Sequence, residues 1–580
     1  MSALRSGRSA ILEQFIADGM TMMFGNPGTV EQGFLDSLRD YPQISYILTL
    51  QESVAVLAAD AYARATHRPT LVQLHSTPGV GNAIGALYQA KRGHSPLVVI
   101  GGDSGIKYAA MDAQMAGDLV AFCEPVCKWA AVVQDPRSLL RMVRRAVKIA
   151  ATPPMGPVYL CLPQDILDQE TPEPVFPTPI PSTRVAPDAA TIGRAADWLV
   201  AAERPMIFMG DGVACSEAQA ELVAVAELLG AEVYGVDCGE LNMAYDHPLF
   251  RGQTGHMFGE SSQAIFARGD GILITGTYIT PEVFPELGPV FAPDAKVVHF
   301  DLNAYEIAKN HRVDLGVVCD PKSALAALAT ALAARMTPAR QGLVARRRAQ
   351  LATSRNAADE GAKAADAGAF GATPMTSAFF MSELGRQAPA DVVIFDEALT
   401  NSPALTRYLP PRAPGRFFQT RGGSLGVGIP GAIGLQVLNP EKTVIGFTGD
   451  GGAMYTIQAL WTAARHKLPV KFVVCNNASY KLLQLNIQQW WKEQGVAPHD
   501  FPLSFDLSRP ALGFVDMARG MGVAGRRVAE PSEVAPAIAE MLAHPGPFLI
   551  DLVLAGDVRP ELIDPTAAGN PNPNGLHSPD

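Results

Sequence analysis

Cysteine is sparse in this chain of 580 residues: seven are scattered from Cys123 through Cys127, Cys161, Cys215, Cys238 and Cys319 to Cys475. An odd, dispersed set argues against a disulfide framework and against a zinc site, which both need tighter grouping. Cys123 and Cys127 stand four apart, with no second pair to complete a metal site. Charged residues are only 18% of the chain and sum to −11. An acidic chain repels phosphate backbones and anionic lipid, so neither nucleic acid nor membrane is expected as a partner. Basic residues cluster locally at Arg346 to Arg348, in an Ala-rich stretch that reads as a linker. No apolar run reaches the roughly 18 residues of a membrane span. The start, MSALRSGRSAILEQF, has neither a long apolar core nor a cleavage site. A soluble, cytoplasmic protein is expected. Aromatic residues are few at 7%, but hydrophobic residues reach 48%, enough for several buried cores and too many for a disordered scaffold.

Short apolar strands alternate with Ala/Leu-rich amphipathic segments along most of the chain, which predicts an α/β fold of three open, mainly parallel sheets. Two breaks set the expected boundaries. A first domain covers 1–165 and a proline-rich connector 166–188. A middle, Rossmann-like domain covers 189–336, and an Ala/Arg/Gly-rich helical linker 337–375. A third domain covers 376–558, and a Pro/Asn-rich tail 559–580. Strands are expected at 45–50, 70–75, 96–102, 205–212, 271–277, 296–301, 391–397, 443–450, 470–477 and 547–554.

The most informative pattern is Gly449-Asp450-Gly451, followed by 24 residues and then Asn476-Asn477. Each half stands at the end of a predicted strand, where open α/β sheets bind ligands. Gly451 and Gly452 let the backbone approach an anion closely, and a helix from about Tyr455 to His466 is expected to point its N-terminus there. Asp450, the amide oxygen of Asn477 and the carbonyl of Ser479 supply three hard oxygen ligands. Diphosphate oxygens and a water would complete an octahedral Mg²⁺ shell.

This pairing resembles the signature of the thiamine diphosphate-dependent enzymes, and the resemblance runs along essentially the whole chain. It is nearest to the benzoylformate decarboxylase-like branch of the 2-oxo acid decarboxylase and acetohydroxyacid synthase superfamily. The resemblance implies that Glu52, at the start of the helix after strand SYILTL, hydrogen-bonds the cofactor's aminopyrimidine and drives its activation. Read alone, Glu52 merely complements a helix dipole. His75, before Ser76-Thr77-Pro78-Gly79, matches a family histidine near the reacting centre. Asn26, Gly28 and Thr29, in Gly25-Asn26-Pro27-Gly28-Thr29, match the substrate-side loop, with Thr29 where the branch carries serine.

In the third domain, Gly423 and Leu425 match the segment whose carbonyl and bulky side chain hold the cofactor bent. Thr400 is expected at the diphosphate, beside Leu399 where the family usually has a second small hydroxyl residue, and Tyr480 completes the cofactor contacts. Leu483 is expected to wall the substrate pocket. Lys481 either meets an anionic substrate or points to solvent, and Trp490 and Trp491 read as packing residues. The branch's second active-site histidine falls at Val283, in ITPEVFPE, with no histidine nearby in sequence. That departure favours ligation over simple decarboxylation.

The run GVGNAIG at 79–85 departs from the GxGxxG spacing and reads as a helix start rather than a dinucleotide site. The segment HPLFRGQTGHMFG in the middle domain resembles the decarboxylases, so FAD is not expected. The implied activity is decarboxylation of a 2-oxo acid, with release of an aldehyde or ligation to an acceptor aldehyde. Acetohydroxyacid synthase-like or acyl-CoA lyase activity is the alternative, and a non-catalytic scaffold is disfavoured because Glu52 and Asp450 are both present. The resemblance also places each cofactor between two chains, with a homodimer as the minimum and a homotetramer as the expected assembly.

Overall fold

A computed structural model describes residues 5–556. Three six-stranded sheets, each parallel throughout, carry the fold. The first sheet runs Ser45–Leu48, Met22–Gly25, Thr70–Leu74, Leu97–Asp103, Val158–Pro163, Trp129–Val132. In the middle sheet the order is Phe250–Gln253, Glu232–Gly235, Pro205–Met209, Gly271–Thr275, Lys296–Asp301, Leu315–Val318. The third follows Phe417–Gln419, Val393–Glu397, Val444–Gly449, Lys471–Asn476, Phe548–Val553, Ala524–Val528. Central strands such as Leu71–Leu74 and Ile272–Ile274 are almost fully buried, because helices cover both faces of a parallel sheet. All ten expected strands are present, most of them shortened by one to three residues at an end.

Two expectations for local structure are corrected. The helix after the Gly-Asp-Gly turn starts at Asp450 rather than near Tyr455, and it is two short helices, Asp450–Thr456 and Ala459–Arg465. The break falls where Leu460 N–H turns back to the Ile457 carbonyl, a three-residue closure. The proline-rich connector is not wholly free. Glu170–Thr171 pairs antiparallel with Arg5–Ser6, and Thr171 is buried.

The segment expected as a helical linker is the 30-residue helix Pro338–Ala367, capped by the Thr337 hydroxyl with proline in its first turn. Its basic residues tie it to the middle domain: Arg340 and Arg347 both donate to the Ala202 carbonyl, at 2.7 and 3.0 Å. The first and third domains meet along two Ala/Gly-rich helices, Glu52–Thr66 and Gly428–Leu438, whose facing residues are buried in one shared core. No helix among the described residues is long and apolar enough to cross a membrane.

Candidate active site

The third sheet reverses its strand order between Val393–Glu397 and Val444–Gly449, and the crevice that ligands use in such sheets opens at this switch point. Asp450 sits there, buried, with Oδ1 accepting from Gly451 N–H at 2.8 Å. Its Oδ2 is buried with no partner among the described residues. Burial pushes the Asp450 carboxyl up to about 6, against the pull of nearby backbone N–H groups. The adjacent strand Lys471–Asn476 brings Asn477 and Ser479 alongside, and Asn477 Oδ1 accepts from Ser479 N–H at 3.1 Å. Gly451 is pressed against Tyr480: a Cβ would meet that ring at 2.3 Å. An orphaned carboxylate oxygen beside an amide oxygen and a backbone carbonyl is a donor set that fits a hard divalent cation.

Beside it, the loop 421–428 carries Gly423 and Leu425. Gly423 is exposed in a left-handed conformation (φ 73°), and Leu425 is half-buried. The loop's far end is fixed by Glu397, which accepts from Gly426 N–H at 2.5 Å, Gly428 N–H at 2.6 Å and the Thr448 hydroxyl at 3.0 Å. Burial lifts the Glu397 carboxyl to about 7. Thr400 is buried two residues beyond Ala398, after Leu399, whose φ is 49°. Ser76 (φ 37°) and Ala478 (φ 56°), each next to a candidate residue, are likewise left-handed.

The first sheet has its own switch point, between Met22–Gly25 and Thr70–Leu74. Asn26 and His75 leave those strands as neighbours. Glu52, buried in the first turn of its helix, accepts from Asn26 Nδ2 at 2.9 Å through Oε1 and from Asn82 Nδ2 at 3.0 Å through Oε2. Asn82 was not singled out from the sequence. It lies in the GVGNAIG run, which is helical within Ser76–Arg92. Glu31 was missed as well: its buried carboxylate lies 3.1 Å from His75 Nδ1 and accepts from Gly102 N–H at 3.1 Å. Burial raises the Glu31 carboxyl, and the facing His75 opposes the rise. Thr29 is exposed on the same loop.

Three family models match successive parts of the chain. The N-terminal TPP binding domain of the thiamine pyrophosphate enzymes matches residues 5–122, the central domain 192–328, and the C-terminal TPP binding domain 400–552. The chain belongs to the thiamine pyrophosphate enzyme family.

Among curated relatives, benzoylformate decarboxylase of Pseudomonas aeruginosa is 29% identical, over 95% of this chain and 99% of that one. A probable acetolactate synthase large subunit of Methanocaldococcus jannaschii is 28% identical, over 94% and 92%. Among solved structures, the thiamine diphosphate-dependent 4-hydroxybenzoylformate decarboxylase of Rhodococcus jostii RHA1 superposes with a TM-score of 0.83 at 26% identity. That match covers 96% of this chain and all of the other.

One groove of about 510 Å³ lies between the middle domain and the helix Lys481–Gln494 of this thiamine pyrophosphate enzyme. Phe258, Phe284, Leu483, Ile487, Trp490 and Phe505 give it an apolar wall. The Val283 N–H donates to the backbone carbonyl of exposed His256 at 3.2 Å. One expectation changes here. Lys481 neither faces solvent nor stands as an open cation. It is buried, and its Nζ is 3.4 Å from the Ala555 carbonyl. Trp491 is buried and stacks on Phe501, whereas Trp490 is half-exposed at the groove. The tail 559–580 lies outside the described residues.

Proposed function

We propose that this chain is a thiamine diphosphate- and Mg²⁺-dependent decarboxylase and carboligase of 2-oxo acids. It would release CO₂ and give an aldehyde or, with an acceptor aldehyde, a 2-hydroxyketone. The observation that carries the reading is the buried, unpartnered Oδ2 of Asp450 beside Asn477 and Ser479. A carboxylate oxygen left without a hydrogen bond in a protein interior is costly unless a cation completes it.

The cofactor, when bound, supplies a nucleophilic carbon and an electron sink for the departing carboxylate. Asp450, Asn477 and the Ser479 carbonyl would hold Mg²⁺. Thr400 and the backbone at Gly451 and Gly452 would meet the diphosphate, and Gly423, Leu425 and Tyr480 the rings. Glu52, with both oxygens fixed by Asn26 and Asn82, is held ready to exchange a proton with a ring nitrogen. His75 is tethered at Nδ1 by Glu31, which leaves Nε2 for proton transfer at the reacting centre. The exposed Thr29 hydroxyl, with Asn26 and Gly28 beside it, is suited to a substrate carboxylate. Leu399 and Leu483 would bound the substrate. Glu52 of one protomer would serve the Asp450 site of a second, in a homodimer or homotetramer in the cytoplasm.

A substrate screen on protein reconstituted with thiamine diphosphate and Mg²⁺ tests this. Pyruvate, longer aliphatic 2-oxo acids and benzoylformate are each supplied with and without an acceptor aldehyde, and CO₂, aldehyde and hydroxyketone are quantified. Aldehyde or hydroxyketone from any of these supports the reading. Acetohydroxyacid as the sole product from pyruvate moves the chain to the synthases. Inactivity on all, with turnover of an acyl-CoA, replaces the reading with a lyase on the same fold.

A further inference from the structure

Arg421 immediately precedes the Gly422–Leu425 loop, yet its side chain leaves the third domain. It is buried at the carboxyl ends of Pro205–Met209 and Glu232–Gly235 in the middle sheet, beside the switch point between Pro205–Met209 and Gly271–Thr275. There Nη1 pairs with Asp211, and Nη2 lies 3.1 Å from Asp237 Oδ2 and 3.4 Å from the Arg92 carbonyl. Burial opposes the charge on Arg421, and Asp237 and Asp211 more than offset it. Asp211 is itself fixed: it accepts from Gly239 N–H at 2.9 Å, Glu240 N–H at 3.0 Å and Asn242 Nδ2 at 3.0 Å. Arg92 joins the same cluster through Tyr278, and its nearest approach to Asp237 is 3.8 Å.

This is the position, after the first strand of a doubly wound sheet, where a dinucleotide's pyrophosphate would approach the backbone. An aspartate and an arginine from another domain already fill it. The loop is thus gripped at both ends, by Arg421 on the middle domain and by Glu397 on Gly426 and Gly428. Two consecutive left-handed glycines, Gly422 (φ 66°) and Gly423 (φ 73°), turn the chain directly after the arginine. Gly422 lies against Arg92, whose Cβ is 3.0 Å from where a Cβ of residue 422 would stand.

We propose that Arg421, clamped by Asp211 and Asp237, is a positioning residue that sets Gly423 and Leu425 for the cofactor. The middle domain's crevice thereby serves as an anchor for the cofactor loop rather than as a nucleotide site. This rests on reading Gly423 and Leu425 as cofactor contacts. A guanidinium held by two carboxylates fixes both position and direction of the loop's root, which a point charge or an apolar stem does not. A shift of about 1 Å at such a root is enough to cost roughly a hundredfold in rate.

The test measures thiamine diphosphate binding by calorimetry, and kcat and KM with the best substrate, for wild type, Arg421→Met, Arg421→Lys and Asp237→Asn. Expected are a thiamine diphosphate Kd raised about tenfold or more in Arg421→Met, a lower kcat at saturating cofactor and a substrate KM within about threefold, with partial rescue in Arg421→Lys. If Arg421→Met does not fold, Asp237→Asn carries the test, since it loosens one of the two clamps and leaves the arginine in place. Folded variants with wild-type cofactor Kd and kcat overturn the proposal, as does a lowered Tm with both constants unmoved. A wild-type protein that binds no thiamine diphosphate sinks the cofactor reading and this proposal with it. Failure of the anchoring alone appears only in the variants.

Discussion

Gly28 lies directly against the imidazole of His75, so close that a Cβ on residue 28 would come within 1.9 Å of the ring. No rotamer of an alanine relieves such an overlap, so the ring or the loop must move. His75 is also held at Nδ1 by Glu31, which makes the ring's placement a three-residue arrangement. Gly28→Ala is expected to lower kcat/KM by roughly a hundredfold through misplacement of the ring, with thiamine diphosphate affinity unchanged. Glu31→Gln, which keeps the shape and removes the charge, is expected to lower kcat and shift the pH–rate profile. Steady-state kinetics from pH 5 to 9 read both.

The two amides on Glu52 make a second expectation. Each is a neutral donor to a buried carboxylate, and removing one donor to a charged group costs on the order of 2 kcal/mol. Asn82→Ala is therefore expected to reduce kcat about tenfold to thirtyfold, with little change in cofactor Kd. Glu52→Gln should fall further, by about a thousandfold or more, because no neighbouring group takes over its proton exchange. Comparable rates for Asn82→Ala and wild type would show that Asn26 alone holds the carboxylate.

Strand ends were legible in the sequence because a buried parallel strand is a short apolar run followed by glycine or a polar residue, as at Val444–Gly449. Asp450 and Asn477 could be paired because the sheet's topology brings strand ends together. Glu31 and Asn82 were hidden for the opposite reason. Neither stands at a strand end, and each acts only through a side chain, His75 or Glu52, that the fold brings to it. The anchoring of Arg421 in another domain left no local trace at all. An arginine before two glycines reads as a turn, and its partners Asp211 and Asp237 lie about two hundred positions away.

Glu397 gives a pH dependence with a definite sign. Its carboxyl lies at about 7 in the fold, raised by burial, against an ordinary value of 4.5. The folded state thus binds this proton more tightly than the unfolded chain. The resulting stabilisation is full below pH 4.5 and is lost as pH rises through about 7. Glu397→Gln removes that slope, at the cost of one of the anchors on Gly426 and Gly428. Urea midpoints measured at pH 5 and pH 8 should therefore differ less in the variant than in wild type, by up to about 3 kcal/mol when converted with the slope. An equal difference in both proteins would show that Glu397 titrates normally.

The unpartnered Asp450 oxygen makes the metal a matter of folded-state energetics as well as activity. Without a cation, the buried carboxylate faces the backbone amides of Gly451 and of residues 477–479, and its Oδ2 makes no hydrogen bond among the described residues. Binding of Mg²⁺ together with thiamine diphosphate should raise Tm, since any ligand that binds only the native state stabilises it by mass action. Stripping the metal with EDTA should reverse that gain. Asp450→Asn keeps the volume but loses the charge, so its half-saturating Mg²⁺ should rise about a hundredfold or more. Its apo form should be no less stable than apo wild type, because the cost of the orphaned charge has gone. An Asn variant with wild-type Mg²⁺ dependence would take the cation away from this turn altogether.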